Sequence, residues 1–430
     1  MNKNKKEDKK INVSYINTSD LVAASYNPRK WDDEAASKLT ESIKRFGLVD
    51  PLIVNSAPDR KNIIIGGHFR YEVAKKLGIK KLPVVYVNIA DIKKEKELNL
   101  RLNRNTGDWD YELLKYFDTS LLLNVGFDDG DLSYIWDEHL SVKDDEFNSQ
   151  DELSKIKTVK TKQGYIYKLG SHILGCGDAL DFNFLDRLID ASQIDMVYLD
   201  PPYNISLDYN SGIGTKAKYG GYLTKDNKTE NEYRKFLKKS IENTLRKVKK
   251  DAHIFCYCDE KYIGLLQQIY RQLGIDFKRV CLWIKNNQNV TPQVAFNKAY
   301  EACIYGTIGN PYISGRLNNL TEILNKEVET GNRMIDDIYD IFDIWLAKRV
   351  TTQNYEHPTE KPPTLHEKPL RRCTKVGDVV LDLFGGSGST LIACEKLKRR
   401  CFIAEIEPIF CDLIVRRYKK LTGGEAVRVY

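Results

Sequence analysis

The sequence lacks the features of a membrane-spanning, exported or disulfide-stabilised protein. It contains no run of about 18 consecutive apolar residues, so a spanning helix is excluded. The first ten residues, MNKNKKEDKK, are charged and have no apolar core of the kind an export signal needs. We therefore expect residues 1–10 to be a disordered basic tail on a cytoplasmic protein without a membrane partner. The nine cysteines form no CxxC pair and the six histidines show no ligand spacing, so neither disulfides nor a metal site is predicted.

Size and composition favour several globular domains. The chain has 430 residues, of which 42% are apolar and 30% charged, and its formal net charge is +7. At about 150 residues per domain, a chain of this length suggests about three domains. A mild basic bias permits a nucleic-acid partner without requiring one.

The pattern of apolar residues divides the chain into four parts. Short strands and helices over residues 11–105 predict a small α+β domain. Residues 106–158 are expected to be a helical segment followed by an acidic, solvated linker. From residue 159 to residue 430, strands alternate with helices, which predicts an α/β domain whose parallel or mixed sheet is covered on both faces. The segment of about 307–356 does not follow that alternation and is interpreted as an insertion.

A glycine-rich stretch, Asp382-Leu-Phe-Gly-Gly-Ser-Gly388, lies between an apolar strand and a helical pattern. Glycines allow the backbone to approach a ligand, and a helix start offers free N–H groups to an anion. Glu405 ends the next strand, where a carboxylate can bind both hydroxyls of a ribose. Leu391 stands where GxGxxG requires its third glycine, which disfavours a dinucleotide and leaves another adenosine cofactor open. A simple tight turn between strand and helix is the alternative.

A second loop, Asp200-Pro201-Pro202-Tyr203, directly follows the apolar strand 196–199. The two prolines fix the backbone, so an acid, a rigid carbonyl and an aromatic ring converge at a strand end. A carboxylate and a carbonyl can together accept both protons of an exocyclic amino group while the ring stacks on a base. The alternative is a proline-stiffened turn with an exposed acid.

Taken together, residues 163–430 resemble the β-group of S-adenosylmethionine-dependent DNA amino-methyltransferases. The resemblance rests on Asp200–Tyr203 as the DPPY motif, Asp382–Gly388 as the cofactor loop, His357–Pro362 as the HPTxKP motif and Gly177-Asp178-Ala179 as the GDA element. It implies a Rossmann-like α/β methyltransferase sheet. Residues 11–104 resemble the ParB/sulfiredoxin-like fold through Asn27–Arg29, Phe46–Pro51 and Gly66–Arg70.

The resemblance also implies roles for individual residues. Asp200 and the Pro201 carbonyl would hold the target amino group, Pro202 would stiffen the loop, and Tyr203 would stack on the base. Ser389 would contact the methionine carboxylate of the cofactor, and Lys361 would lie near its tail. The full set of implied S-adenosylmethionine ligands is Asp178, Ala179, Lys361, Asp382, Phe384, Gly385, Gly388, Ser389 and Glu405.

The expected reaction is methylation of an exocyclic amino group on a base flipped out of DNA. An initial Asp rather than Ser in the loop favours adenine N6, with cytosine N4 as the alternative. The absence of a Pro-Cys dipeptide argues against methylation of a cytosine carbon through a thiolate. The basic, Gly- and Tyr-rich stretch 205–225 is expected to clamp DNA. Target recognition is assigned to the insertion, with its basic residues Arg316, Arg333, Lys348 and Arg349.

Other functions remain open at this point. The same chemistry could act on RNA or on a protein amide, and the chain could be a ParB-type regulatory DNA-binding protein with a vestigial methylase half. The ParB-like domain is expected to assist DNA binding, with a purely structural role as the alternative. DNA is the expected partner, and a homodimer and a cognate restriction nuclease are left open. A bacterial or phage-encoded, nucleoid-associated protein is expected.

Overall fold

The structure is a computed structural model that falls into two compact units, residues 1–140 and 141–430. The residues that the structure describes are 11–30, 33–103, 108–125, 127, 129–139, 145, 147–189, 194–207, 222–285, 295–314, 343–347 and 361–430.

The first unit is built on a five-stranded mixed sheet with the strand order β1-β6-β4-β5-β2. Alternating apolar residues of the central strands are fully buried, among them Leu52 and Val54 on one strand and Leu82 and Val84 on another. This alternation is what a sheet with a covered face requires. The strands are β1 (Val13–Asn17), β2 (Val22–Ala23), β4 (Leu52–Asn55), β5 (Ile63–Gly66) and β6 (Lys81–Val87), with a separate two-stranded ribbon of β3 (Arg29–Lys30) and β7 (Asp108–Trp109).

Helices accompany this sheet, and the helical segment that follows the predicted α+β domain belongs to the same unit. The two compact units divide between residues 140 and 141, after this segment. Asp110 and Asp118 cap two of its short helices by accepting hydrogen bonds from backbone N–H groups. The helices are α1 (Asp33–Phe46), α2 (His68–Lys76), α3 (Ile92–Asn103), α4 (Tyr111–Leu114), α5 (Thr119–Asn124) and α6 (Asp129–Ser133), followed by a π-helical turn at Tyr134–His139.

The stretch expected to be a solvated linker differs from that expectation in its second half. Phe147 and Leu153 are buried together with Phe410 and Leu413, which belong to the same second unit. A short helix, α7 (Ser149–Ser154), forms there with Asn148 as its N-cap. Two apolar side chains among the acidic residues are enough to anchor the segment, because their burial offsets the solvation of the surrounding charges.

The second unit is organised by a ten-stranded mixed sheet with the order β14-β12-β13-β11-β10-β15-β16-β9-β8-β17. Its five central strands, from β11 to β9, run parallel, and antiparallel strands extend both edges. The strands are β8 (Ile166–Leu169), β9 (His172–Cys176), β10 (Ile194–Leu199), β11 (Val248–Cys258), β12 (Asp276–Ile284), β13 (Tyr300–Ile308), β14 (Ile344–Leu346), β15 (Val379–Asp382), β16 (Arg400–Glu405) and β17 (Ala426–Arg428).

Both faces of this sheet are covered, which explains its nearly continuous apolar strands. Along β10, Met196 and Tyr198 belong to one hydrophobic cluster, whereas Val197 and Leu199 belong to the other. The fold is therefore the Rossmann-like α/β sheet that the sequence predicts. The remaining helices are α8 (Phe182–Leu188), α9 (Glu230–Leu245), α10 (Ile263–Gln272), α11 (Pro363–Cys373), α12 (Ser389–Lys396) and α13 (Pro408–Thr422).

Part of the predicted insertion is described. Strand β14 adds to the edge of the sheet in parallel with β12, and Trp345 is buried there. The basic residues assigned to target recognition, Arg316, Arg333, Lys348 and Arg349, lie outside the described residues. Within the described ranges, no helix is long and apolar enough to cross a membrane.

Candidate active site

Two neighbouring parallel strands at the centre of the sheet bring the candidate loops together. Strand β10 pairs with β11 on one side and with β15 on the other. The chain leaves β10 through α9 toward β11 and leaves β15 through α12 toward β16, so the two connections diverge. Open α/β sheets bind their ligands at such a switch point, beyond the carboxyl ends of the strands.

A single cavity opens at this point. Apart from Gly388, every site residue expected from the sequence lines it: Asp178, Ala179, Asp200, Pro201, Pro202, Tyr203, Lys361, Asp382, Phe384, Gly385, Ser389 and Glu405. Gly388 instead turns the chain into α12 with a left-handed φ of 82°. A Cβ atom there would lie 3.0 Å from a side-chain carbon of Ile414, so the position favours glycine for packing as well as for conformation.

Asp200 is the centre of a hydrogen-bonded cluster. Its Oδ1 accepts a hydrogen bond of 2.9 Å from the Tyr203 hydroxyl, and its Oδ2 accepts one from Lys361 Nζ. The Asp200 side chain remains 26% exposed, so it can be reached from the cavity. Burial raises the pKa of Asp200 above its usual range, and the Lys361 ammonium opposes that rise.

Lys361 lines the cavity and contacts the side chains of Asp200 and Tyr203, in the loop after β10. Its expected place near the cofactor tail stays a prediction. Lys361 donates to Asp200 and, over 2.9 Å, to the Tyr203 hydroxyl, and its side chain is 4% exposed. Its ammonium also lies 4.3 Å from the centre of the Tyr257 ring. The physical reason is charge balance, because a lysine this buried needs carboxylates beside it.

Glu301 is the second of these carboxylates, and the sequence analysis missed it. Its Oε2 accepts a hydrogen bond of 2.8 Å from Tyr203 and lies 3.3 Å from Lys361 Nζ, while its Oε1 pairs with Lys285. Burial alone would raise the pKa of Glu301, but Lys361 and Lys285 more than offset it and lower the pKa to about 2. The sequence feature that could have identified Glu301 is an acidic residue inside the otherwise mostly apolar strand YEACIYGTI.

The loop after β15 is held by Glu405, at the end of the adjacent strand β16. Glu405 accepts hydrogen bonds from the N–H of Gly386 over 2.7 Å and from the N–H of Glu407 over 2.8 Å. Burial raises the pKa values of Glu405 and of nearby Asp382 to about 7 each. Two carboxyl groups that are costly to ionise thus face the cavity and favour a ligand with hydroxyl or cationic groups.

Asp178 lies on the same edge as Glu405. Strand β9 pairs in parallel with β16, with Cys176 opposite Glu405, so the turn that follows β9 emerges beside that carboxylate. Asp178 is exposed and accepts a hydrogen bond from the N–H of Leu180, whereas Ala179 is buried. The three cofactor elements expected from the sequence are therefore adjacent.

Ser389, at the start of α12, has a partner that the sequence did not reveal. Its hydroxyl lies 2.9 Å from His366 Nε2, and His366 Nδ1 lies 3.2 Å from the Tyr198 hydroxyl. Burial lowers the pKa of His366 to about 3, so the ring is neutral at physiological pH. A neutral histidine fixes the Ser389 hydroxyl without adding charge to the cavity.

Both ends of the predicted DNA-clamping loop are fixed, although residues 208–221 lie outside the described residues. Asp226 accepts hydrogen bonds from the N–H groups of residues 204, 205 and 207. Glu407 accepts them from residues 222, 223 and 224. These two carboxylates hold the loop ends against the cavity wall.

All nine cysteines are buried and unpaired. Within the described part of the chain, no group of three or more His, Cys, Asp or Glu side chains could hold a metal ion.

The doubly wound sheet and its shared cavity are the architecture expected of an S-adenosylmethionine-dependent methyltransferase. A family model described as DNA methylase matches residues 194–416, which is slightly more than half of the chain. The chain belongs to this family, whose members methylate adenine N6 or cytosine N4 in DNA. A model described as the ParB N-terminal domain matches residues 2–106, which places a ParB-like domain at the N-terminus.

Named relatives are distant. Type II methyltransferase M.HpaI of Haemophilus parainfluenzae is 25% identical over 240 residues, covering 55% of this chain and 71% of the relative. Type II methyltransferase M.BamHI of Bacillus amyloliquefaciens is 24% identical over 307 residues, covering 67% of this chain and 64% of the relative. The solved structure of the cytosine-N4-specific PvuII DNA methyltransferase aligns at 16% identity and a TM-score of 0.42, covering 62% of this chain and 98% of that structure.

Replacing Glu301 with glutamine should slow methyl transfer. The change removes one of the two carboxylates that balance Lys361 and weakens the acceptor of the Tyr203 hydroxyl. A charged hydrogen bond contributes about 1.5–3 kcal/mol, so we expect kcat to fall about 10- to 100-fold. The affinity for S-adenosylhomocysteine should stay within about threefold of wild type, because Glu301 lies on the catalytic side of the cavity.

Glu242→Gln is the matched control, since Glu242 makes only an exposed ion pair of 3.5 Å with Lys239 on helix α9. Its kcat should equal that of wild type. A normal kcat for Glu301→Gln would contradict the role of the cluster.

Cofactor affinity should rise with pH. A carboxyl group with a pKa of about 7 is about one tenth ionised at pH 6 and about nine tenths ionised at pH 8. Since the ionised form of Glu405 is the better acceptor for ribose hydroxyls, S-adenosylhomocysteine should bind up to about tenfold more tightly at pH 8 than at pH 6. Calorimetric titration of wild type and Glu405→Gln checks this, and the variant should bind weakly and depend less on pH. A pH-independent affinity in wild type would refute the assignment.

Proposed function

We propose that this chain transfers the methyl group of S-adenosylmethionine to the N6 amino group of an adenine flipped out of DNA. The observation that carries the proposal is the shared cavity, in which the Asp200 carboxylate faces the space beside Glu405 and the glycine-rich loop. The reaction needs one acid that binds the target amino group and another that binds the ribose of the cofactor. Asp200 and Glu405 line the same cavity and can fill these two roles.

The cofactor side of the cavity fits S-adenosylmethionine. Four residues that line the cavity are proposed to hold it: Glu405 accepts the ribose hydroxyls, Asp178 and Phe384 flank the adenine, and Ser389 at the helix start meets the carboxylate of the amino-acid tail. Asp382 faces the same space and can balance a positive charge. When bound, the cofactor supplies an electrophilic methyl group on a sulfonium.

The catalytic side prepares the amino nitrogen for attack. The lone pair of an exocyclic amine is delocalised into the base and is a weak nucleophile. Hydrogen bonds from its two protons to Asp200 and to the Pro201 carbonyl favour a pyramidal nitrogen whose lone pair points at the methyl group. The transfer is then direct and depends on positioning and on fixed charges.

The cluster around Asp200 can make room for the substrate. In the structure the Tyr203 hydroxyl lies within hydrogen-bonding distance of both Asp200 and Glu301. If the target amine takes the Asp200 Oδ1 acceptor, Tyr203 still donates to Glu301, and no buried polar group is left unsatisfied. Lys361 stays on Oδ2 and keeps the carboxylate oriented.

Asp200 is also placed to take the surplus proton. After transfer the amino nitrogen carries a methyl group and one proton too many. One N–H bond then breaks and an O–H bond forms on Asp200, whose raised pKa favours that acceptance. Release of this proton to solvent returns the site to its initial state.

The proposal that DNA is the substrate is supported by both domains. A base inside a duplex cannot reach a cavity at the end of a sheet, so the base must leave the stack, at a cost of a few kcal/mol. The aspartate that opens the loop supports adenine over cytosine. The ParB-like domain, to which residues 2–106 are matched, is proposed to assist DNA binding.

The product identifies the reaction. Incubating the full chain with double-stranded DNA and isotope-labelled S-adenosylmethionine, followed by digestion and mass spectrometry of the nucleosides, should yield N6-methyldeoxyadenosine. N4-methyldeoxycytidine would keep the enzyme class but refute adenine as the base. Label on RNA with none on DNA would refute the proposal.

Asp200→Ala should reduce transfer at least about 100-fold, the scale seen when one positioned group is lost from an active site. Binding of S-adenosylhomocysteine should stay within about threefold, because Asp200 is proposed to hold the target amino group and not the cofactor. A matched control is Asp186→Ala, which removes an exposed acid from helix α8. Undiminished turnover in Asp200→Ala would show that another residue is the acid.

A further inference from the structure

Asp145, in the segment that precedes helix α7 of the second unit, forms a buried ion pair with Arg417 on helix α13. The guanidinium donates from Nε over 2.7 Å and from Nη2 over 2.8 Å, one bond to each carboxylate oxygen. The two side chains are only 6% and 2% exposed, respectively. The Phe147 ring lies 5.0 Å from the centre of the guanidinium and covers it. The pair is therefore bidentate, shielded from water and geometrically fixed.

The third nitrogen of the same guanidinium reaches the cofactor loop. Arg417 Nη1 donates to the backbone oxygen of Ser387 over 3.1 Å and lies 2.9 Å from its hydroxyl. Ser387 stands between Gly386, whose N–H binds Glu405, and Gly388, which starts helix α12. Arg417 thus holds the middle of the loop, and Asp145 holds Arg417.

We propose that Asp145 is a positioning residue for the cofactor loop and acts through Arg417. The inference rests on the proposed placement of S-adenosylmethionine beside Glu405. A planar guanidinium can bind a carboxylate on one edge and a serine on another, whereas a lysine offers only a point charge. If the carboxylate is lost, the guanidinium loses the bidentate partner that orients it, and its preferred position no longer coincides with Ser387.

Both members of the pair lie outside residues 194–416, the range that the DNA methylase model matches. Hydrogen bonds from Arg417 more than offset the effect of burial and hold the pKa of Asp145 below its usual range, so the carboxylate is charged at neutral pH. The segment expected to be a passive linker therefore fixes part of the cofactor site.

The test is Asp145→Asn in the full chain. We expect the Kd for S-adenosylhomocysteine and the KM for S-adenosylmethionine to rise about 5- to 20-fold, while kcat stays within about twofold, because the catalytic loop is not touched. Calorimetry without DNA measures the Kd, so the result does not depend on which base is methylated. A failure of the proposed base specificity would leave this readout intact.

Glu152→Gln is the control. Glu152 pairs with Arg416, so this substitution breaks another ion pair between the same segment and the same helix, but one that is partly exposed and does not reach the cofactor loop. Its Kd should match that of wild type. Equal weakening in both variants, or a fall in folded protein and kcat with an unchanged Kd, would show that Asp145 only anchors the segment and would overturn the proposal.

A double-mutant cycle with Ser387→Ala keeps the proposal testable if Asp145→Asn lowers stability. Ser387→Ala removes only the hydroxyl that Arg417 contacts, in a loop that should still fold. If Asp145 acts through Arg417 on this residue, the two changes in Kd should not be additive. Strict additivity would overturn the relay.

Discussion

Asp200 ends a strand that is covered on both faces of the sheet, and its carboxylate therefore has to be balanced locally. Lys361 provides the positive charge, Glu301 balances Lys361, and Lys285 balances Glu301. The result is two acids and two lysines whose charges cancel. Such a set can be buried because every charge has a partner, and it keeps the acid oriented and still accessible from the cavity.

The topology of the sheet places this cluster opposite the cofactor loop. Strands β10 and β15 are hydrogen-bonded neighbours, and their onward connections diverge, which opens a crevice where both loops begin. No long-range adjustment is needed to bring donor and acceptor together, since adjacent parallel strands end at the same edge. Catalysis by positioning suits such a scaffold, because the loops are attached to the most buried strands of the molecule.

A second set of carboxylates organises the loops themselves. Asp226 and Glu407 bind successive backbone N–H groups at the two ends of the segment that borders the cavity. Glu407 also donates its own N–H to Glu405, which links the loop end to the proposed ribose site. Asp145 acts on the glycine-rich loop indirectly, because it binds Arg417 and Arg417 binds Ser387. Several acidic residues of this chain thus order backbone, which composition alone does not reveal.

The sequence by itself determined the fold class, the ParB-like domain and the two loops, because strand periodicity, prolines and glycines act locally and are visible as letters. It also placed Asp200, Glu405 and the glycine-rich turn in one site, since the ends of parallel strands meet. Only the tertiary structure decided where Lys361 lies, that Glu301 joins Asp200, and that Asp145 is buried on Arg417. Those contacts join residues about 60 to 270 positions apart in a low-dielectric interior, where the partner of a charge is set by packing rather than by neighbouring sequence.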